Sequence, residues 1–192
     1  ISAFTIHIND RRILRAVALE AGFAEDDIST VLISLDKFDK IGVEGIRKEL
    51  IENGYAKETV DKYLSLYANL KTVSCEEYLS EADVKNISEI IACTKAMINE
   101  NVTIMFDPAL VRGMGYYTGP IFEITIDGYN FSIAGGGRYD KMVGKFTGND
   151  VPACGFSIGF ERIILLLMES GFQVPGIADR KVYLLEKGLS TE

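Results

Sequence analysis

Between Leu110 and Gly119 the sequence reads LVRGMGYYTG, one cation with three glycines and two tyrosines. Arginine presents a planar fork of donors that matches a phosphate or a carboxylate. Glycine lets backbone approach a ligand closely, and tyrosine offers a flat apolar wall edged by a hydroxyl. Arg112 with Tyr116 and Tyr117 could therefore hold an anionic small molecule; a glycine-bent strand with a surface ion pair would use the same residues. Ala134–Asp140, AGGGRYD, is a second cluster, in which Gly135, Gly136 and Gly137 close a strand and bare its backbone beside Tyr139. It suits one wall of a pocket, or a plain turn. In a third, Gly155–Arg162 (GFSIGFER), a strand passes through Gly159 into a helix and puts Arg162 in the first turn. A cation there opposes the helix dipole, at a cost of a few tenths to about 1 kcal/mol when exposed. A bound anion would relieve that cost, and so would Glu161.

Other chemistries lack their residues. Gly113-x-Gly115 brushes against the dinucleotide fingerprint, but its third glycine would fall on Thr118 and no strand–helix–strand unit surrounds it. No Gly-Lys-Ser/Thr follows Gly135–Gly137, so a nucleotide P-loop is absent. His7 is the only histidine, and it stands mid-strand without a nucleophile signature, as an ordinary sheet-face residue does. Asp36 and Asp39, interleaved with Lys37 and Lys40, read as a solvated helix end. Cys75, Cys93 and Cys154 are odd in number and widely spaced, which gives neither a disulfide framework nor a CxxC zinc site and points to a reducing, cytoplasmic setting. Cys154, in a core strand, reads as a small buried hydrophobe.

The elements that must position these clusters differ between the two halves of the chain. Four glycines lie in residues 1–100 and 14 in residues 101–192. Phe4, Ile6 and Ile8 alternate with Thr5 and His7 in a strand, and Arg12–Ala21 continues as a helix stopped by Gly22. Val60, Tyr63, Leu64, Tyr67 and Leu70 then keep a helical period, as do Ile87, Ile90, Ile91, Thr94 and Ile98. Residues 43–100 read as a small helical insertion between a first core segment, 1–42, and a second, 101–173. Past residue 100 the period becomes two. Val102–Asp107 is a strand ended by Pro108, and Ile121–Ile126 with Tyr129–Ala134 flank Asp127-Gly128, a tight-hairpin pair. Cys154, Phe156 and Ile158 alternate in one more strand, followed by the helix Phe160–Ser170 and Gly171. Residues 174–192 read as a linker, Val174-Pro175-Gly176, and a further strand, Lys181–Leu185. An α+β fold follows, an antiparallel sheet flanked by helices with a small helical insertion.

Composition agrees. The 192 residues hold one core and an appendage, and are too few for two full-sized domains. Hydrophobic residues at 47% and charged residues at 25% are globular values. The longest strongly apolar run, Ile163–Met168, falls far short of the roughly 20 residues a membrane helix requires. With 20 basic and 28 acidic residues the net charge is −8, the wrong sign for broad electrostatic binding of a nucleic-acid backbone. The chain opens at Ile1 without a methionine or a leader, and reads as a piece of a longer polypeptide.

Taken together, the clusters carry a resemblance. Leu110–Glu123, LVRGMGYYTGPIFE, resembles the first histidine motif of the histidyl-tRNA synthetase family; Gly136–Asp140, GGRYD, resembles its second; and Gly155–Arg162 is similar to motif 3 of class II synthetases. Phe4–Arg12, FTIHINDRR, and Leu35–Gly42, LDKFDKIG, resemble the segments leading into that family's helical insertion. The order is the family's, and nearly the whole chain is covered. The resemblance implies a class II synthetase-like fold without its upstream motifs 1 and 2, and a parent enzyme, a homodimer, that makes histidyl-adenylate from histidine and ATP and then charges tRNA(His).

It further implies roles for single residues. Arg112 would be catalytic, holding the α-phosphate and the histidine carboxylate. Tyr116, Tyr117, Tyr139 and the Gly135–Gly137 backbone would form the histidine pocket. Gly159 and Arg162 would bind ATP, Arg162 stacking on adenine and reaching the γ-phosphate, with Mg2+ carried on the phosphates. Gly115 stands where the family usually has an acidic residue, so no carboxylate acts at that place. Lys181–Leu185 resembles the first strand of the family's anticodon-binding domain. Without motif 2, which supplies another phosphate-binding arginine, residues 1–192 alone are expected to form no adenylate. Two other readings share the resemblance: the histidine-sensing regulatory subunit of ATP phosphoribosyltransferase, and a pseudo-synthetase domain with a structural role.

Overall fold

In the computed structural model the described residues are 3–72, 75–113 and 115–174. They fall into two compact units that divide after Gly159. The first is a five-stranded sheet with helices, its strands β1 (Phe4–Asp10), β2 (Val102–Phe106), β3 (Pro120–Ile126), β4 (Ser132–Arg138) and β5 (Cys154–Ile158) in the order β2-β1-β3-β4-β5. Only β1 and β2 run parallel; the other three pairs are antiparallel. The parallel pair requires a long crossover, and residues 11–101 supply it as α1 (Arg11–Ala21), α2 (Ile28–Leu35), α3 (Phe38–Glu52), α4 (Lys57–Asn69) and α5 (Glu81–Met97). After β4 comes α6 (Asp140–Thr147), and α7 (Phe160–Glu169) begins the second unit.

Each early element ends where its sequence demands. Asp10, fully buried at the end of β1, caps α1 by accepting from the Arg12 amide at 2.9 Å and also grips the Arg12 guanidinium through both oxygens, at 2.7 and 2.6 Å. Gly22, left-handed at φ 111°, receives the end of α1. Ile13, Leu14 and Val17 of α1 meet Val31, Leu32 and Leu35 of α2, Ile46 and Leu50 of α3, and Val60, Tyr63 and Leu64 of α4 in one apolar cluster. All five positions picked out by the helical period, Val60 to Tyr67 in α4 and Leu70 just after it, are buried. The corresponding stripe of α5 buries only Ile87. Gly42, at φ 64° and ψ −178°, breaks α3 near its start, at the residue where the sequence places the first segment boundary.

The sheet departs from expectation in two places. Asp127-Gly128 does form the turn, with Gly128 at φ 87°, but β4 starts only at Ser132, because the β3–β4 register shifts between Ile124 and Thr125. The three glycines therefore lie inside β4, paired to Glu123, Phe122 and Ile121, rather than at a strand end. Cys154 is exposed and not a buried hydrophobe, because β5 is an edge strand, paired to β4 alone. Most of the expected linker and the strand at Lys181–Leu185 lie outside the described residues. Among the described residues no helix is long and apolar enough to cross a membrane.

Candidate functional site

Strand alternation gives the sheet one polar face. Thr5, His7 and Asn9 of β1 stand across from Thr125, Glu123 and Ile121 of β3, while Phe4, Ile6 and Ile8 carry the apolar face. One row crosses all five strands: Met105, His7, Glu123, Gly135 and Ser157. Arg112 lies over this row. Its Nη1 donates to Glu123 Oε2 at 2.7 Å, and a Cβ placed on Gly135 would come within 2.7 Å of its Nη2. Gly135 is thus the floor on which the guanidinium rests, and any larger residue would displace it.

Arg112 is half-buried. Burial opposes its charge, but the Glu123 carboxylate and then Tyr117 together outweigh that loss, so its pKa lies above the ordinary arginine value. The Nη1 atom is engaged by Glu123, and the guanidinium also meets the Tyr117 hydroxyl, which ties the arginine to the tyrosine cluster. The expected ion pair is thus present, with Glu123 as its acid.

The tyrosines form a second group. Tyr116 and Tyr117 have ring centroids 4.7 Å apart, and Tyr139 stands 5.9 Å from Tyr116 and 6.5 Å from Tyr117. Gly137 passes against the Tyr117 ring, where an added Cβ would meet Cδ1 at 2.8 Å, and the Tyr139 hydroxyl lies against Gly155. Tyr117 is buried, and that burial, followed by its contact with Tyr116, raises its phenol pKa, so the hydroxyl remains a donor at neutral pH. Backbone bonds fix the cluster to the sheet: the Thr118 amide donates to the Arg138 carbonyl at 2.9 Å, and the Asp140 amide to Thr118 Oγ1 at 3.1 Å.

Beside Arg112 opens a cleft of about 820 Å³, bounded by the polar sheet face and by α3 and α4. Arg112, Glu123, His7, Thr125, Asp107 and Tyr67 line it, whereas Tyr116, Tyr117 and Tyr139 do not. His7 proves more connected than an ordinary sheet residue: its Nε2 is 3.0 Å from Thr125 Oγ1 and its Nδ1 3.4 Å from Asp107 Oδ2. Sequence reasoning gave no part to Glu123, Thr125 or Asp107. Glu123 could have been found as the acid within the arginine's own motif. The polar face could have been found from Thr5, His7 and Asn9 alternating with three apolar residues.

Three further positions singled out in the sequence are placed by their own elements. Gly159 donates its amide to the Ile133 carbonyl at 2.7 Å and closes the first unit. Arg162 lies in the first turn of α7, in the second unit. Gly115 stands near Ser29, where a side chain would meet ordinary contact distances of 3.5 Å and more.

The comparisons with known proteins agree with the motifs. A histidine–tRNA ligase of Leifsonia xyli is 44% identical over 176 residues, 85% of this chain and 41% of that protein. One from Aeropyrum pernix is 37% identical over 200 residues, 96% of this chain and 44% of that protein. The crystal structure of histidyl-tRNA synthetase from Nostoc sp. PCC 7120 superposes with a TM-score of 0.69 at 29% identity, over 88% of this chain and 43% of that one. The chain thus spans about two-fifths of the length of these relatives. The family model described as histidyl-tRNA synthetase matches residues 1–163. With its arginine, glycine and tyrosine motifs assembled on one sheet in the family's order, the chain belongs to the histidyl-tRNA synthetase family.

Proposed function

We propose that this chain carries part of the catalytic core of a histidine–tRNA ligase, which activates histidine with ATP and transfers the histidyl group to tRNA(His). The observation that carries the reading is Arg112, a cation seated on Gly135 and held by Glu123 beside the tyrosine cluster. In activation, a histidine carboxylate oxygen bonds to the α-phosphorus of ATP as the bond to pyrophosphate breaks. Negative charge grows on the oxygens between carboxylate and phosphate. A fixed guanidinium stabilises that charge without reorganising at the moment of reaction, the setting in which electrostatic catalysis is strongest.

The other roles follow in the same reading. Tyr116, Tyr117 and Tyr139 wall and orient the histidine imidazole, with the Gly135–Gly137 backbone closing the pocket. Gly159 and Arg162 serve ATP, and magnesium enters on its phosphates. A homodimeric assembly, tRNA(His) as second substrate and a cytoplasmic setting belong to the proposal as well. The ligase names of the sequence relatives favour it over a histidine-sensing regulatory subunit, which has no chemical need of a phosphate-binding arginine.

The test is histidine-dependent ATP–pyrophosphate exchange by the full-length protein and its Arg112→Ala variant. Exchange in the parent with a fall on the order of 10²–10³-fold in the variant is expected. Histidine binding without exchange in the parent would move the protein to the regulatory class.

A further inference from the structure

The segment from Asp107 to Arg112 is irregular, yet side chains from distant elements hold its carbonyls one after another. β2 stops at Phe106, just ahead of Pro108, so no strand ladder serves the residues from Pro108 on. Asn9 Nδ2, at the buried end of β1, donates to the carbonyls of Pro108 and Leu110, both at 2.9 Å. Arg11 Nη1, from the first residue of α1, donates to the Arg112 carbonyl at 3.2 Å. The Tyr67 hydroxyl, from α4, donates to the carbonyl of Ala109 at 2.8 Å. The Asp107 amide donates to the Ile8 carbonyl of β1 at 2.8 Å, and two bonds are local: the Leu110 amide reaches the Asp107 carbonyl at 3.0 Å, and the Ala109 amide reaches Asp107 Oδ1 at 3.2 Å.

Such an arrangement is costly unless position matters. Asn9 is wholly buried, Arg11 and Tyr67 nearly so, and burial lowers the pKa of the Arg11 guanidinium and raises that of the Tyr67 phenol. Buried donors of this kind cost free energy when unpaired and rigidify a backbone when satisfied. The loop they hold ends at Arg112, whose side chain then rests on Gly135 and pairs with Glu123. Backbone and side chain of the same residue are thereby fixed by separate sets of partners.

We propose that Tyr67, together with Asn9 and Arg11, is a positioning residue that sets the place of Arg112 for the activation step, so that α4 of the helical segment is mechanically part of the active site. The inference rests on the functional reading above. Tyr67 offers the clean test, because phenylalanine keeps the ring that packs at 5.5 Å from Phe38 and removes only the hydroxyl.

In the full-length protein, Tyr67→Phe is expected to lower kcat for pyrophosphate exchange about tenfold while KM for histidine and for ATP changes less than about twofold. This is the pattern of a group needed in the transition state alone. Hydrogen exchange at the amides of residues 109–113 is expected to quicken, with the amides of α1 and α2 unchanged. Arg11→Lys, which keeps a donor, is expected to retain more of kcat than Arg11→Met. A Tyr67→Phe protein with the kcat of the parent would overturn the proposal, as would a rise in KM without loss of kcat, or a loss of protection spread over the helices. A parent that shows no exchange removes the functional reading instead, and the two failures are told apart by the parent's own assay.

Discussion

Arg112 and the three consecutive glycines show how far a single atom can matter in this site. A methyl group added at Gly135 points at the guanidinium, whereas one added at Gly136 points the other way, into the backbone of Gly155 and Phe156. Alternation along β4 thus separates two consequences that look identical in sequence. Gly135→Ala is expected to cut pyrophosphate exchange on the order of 10²-fold, the scale of a misplaced charge-stabilising group, and to leave the thermal midpoint within a few degrees. Gly136→Ala meets backbone that cannot swing aside, so it is expected to destabilise the β4–β5 pair by about 1–3 kcal/mol, read as a loss of hydrogen-exchange protection in β5. Equal behaviour of the two variants in both assays would refute this division. The residues that hold the loop before Arg112 were not legible in the sequence. Asn9 and Tyr67 bond to backbone carbonyls 99 and 42 residues away, and a carbonyl carries no side-chain signature to betray its partner.

At the scale of elements, legibility followed periodicity. α4 was readable because Val60, Tyr63, Leu64 and Tyr67 all face one core, and β1 because its apolar residues alternate cleanly. α6 was missed: it spans only Asp140–Thr147 with Gly144 inside it, too short for Met142, Val143 and Phe146 to establish a period. The joint between α2 and α3 was also silent, since it is polar. Glu49 of α3 accepts from Ser34 at 2.6 Å and from Lys37 at 2.7 and 2.9 Å, and these bonds, Lys37 first, lower its carboxyl pKa. A carboxyl whose pKa is lower folded than unfolded adds stability above the unfolded value and loses it as pH falls through the folded one. The joint should therefore be fully formed near pH 6 and weaken progressively below the ordinary glutamate range of about 4.3. Its side chains are partly solvated, so the contribution is about 0.5 kcal/mol. Denaturant titrations of the parent and Glu49→Gln at pH 7 and pH 3 check this: the gap between them should shrink at the lower pH, and a constant gap would contradict it.

For the whole molecule the question is how many cores the helices possess. Sequence patterning suggested a helical insertion at residues 43–100, because the period changes there from mixed to helical and back. Packing is insensitive to such changes: Ile46, Leu50, Val60 and Tyr63 share one apolar cluster with Leu14, Val17, Leu32 and Leu35. Leu50 is fully buried within it. Leu50→Ala is expected to cost about 2–5 kcal/mol, the range for a buried leucine whose cavity collapses only in part. Because the cluster is shared, the loss should reach beyond α3. Hydrogen exchange of the full-length protein should show protection falling together in α1, α2, α3 and α4, as in one cooperative unit. Protection lost in α3 and α4 with α1 and α2 untouched would mean that the helical segment unfolds by itself. Shared unfolding has a functional corollary, since the same cluster includes Tyr67, whose hydroxyl holds the loop leading to Arg112. A cavity at Leu50, in a helix that supplies no residue to the tyrosine cluster, should then lower pyrophosphate exchange as the temperature approaches the weakened midpoint, earlier than in the parent.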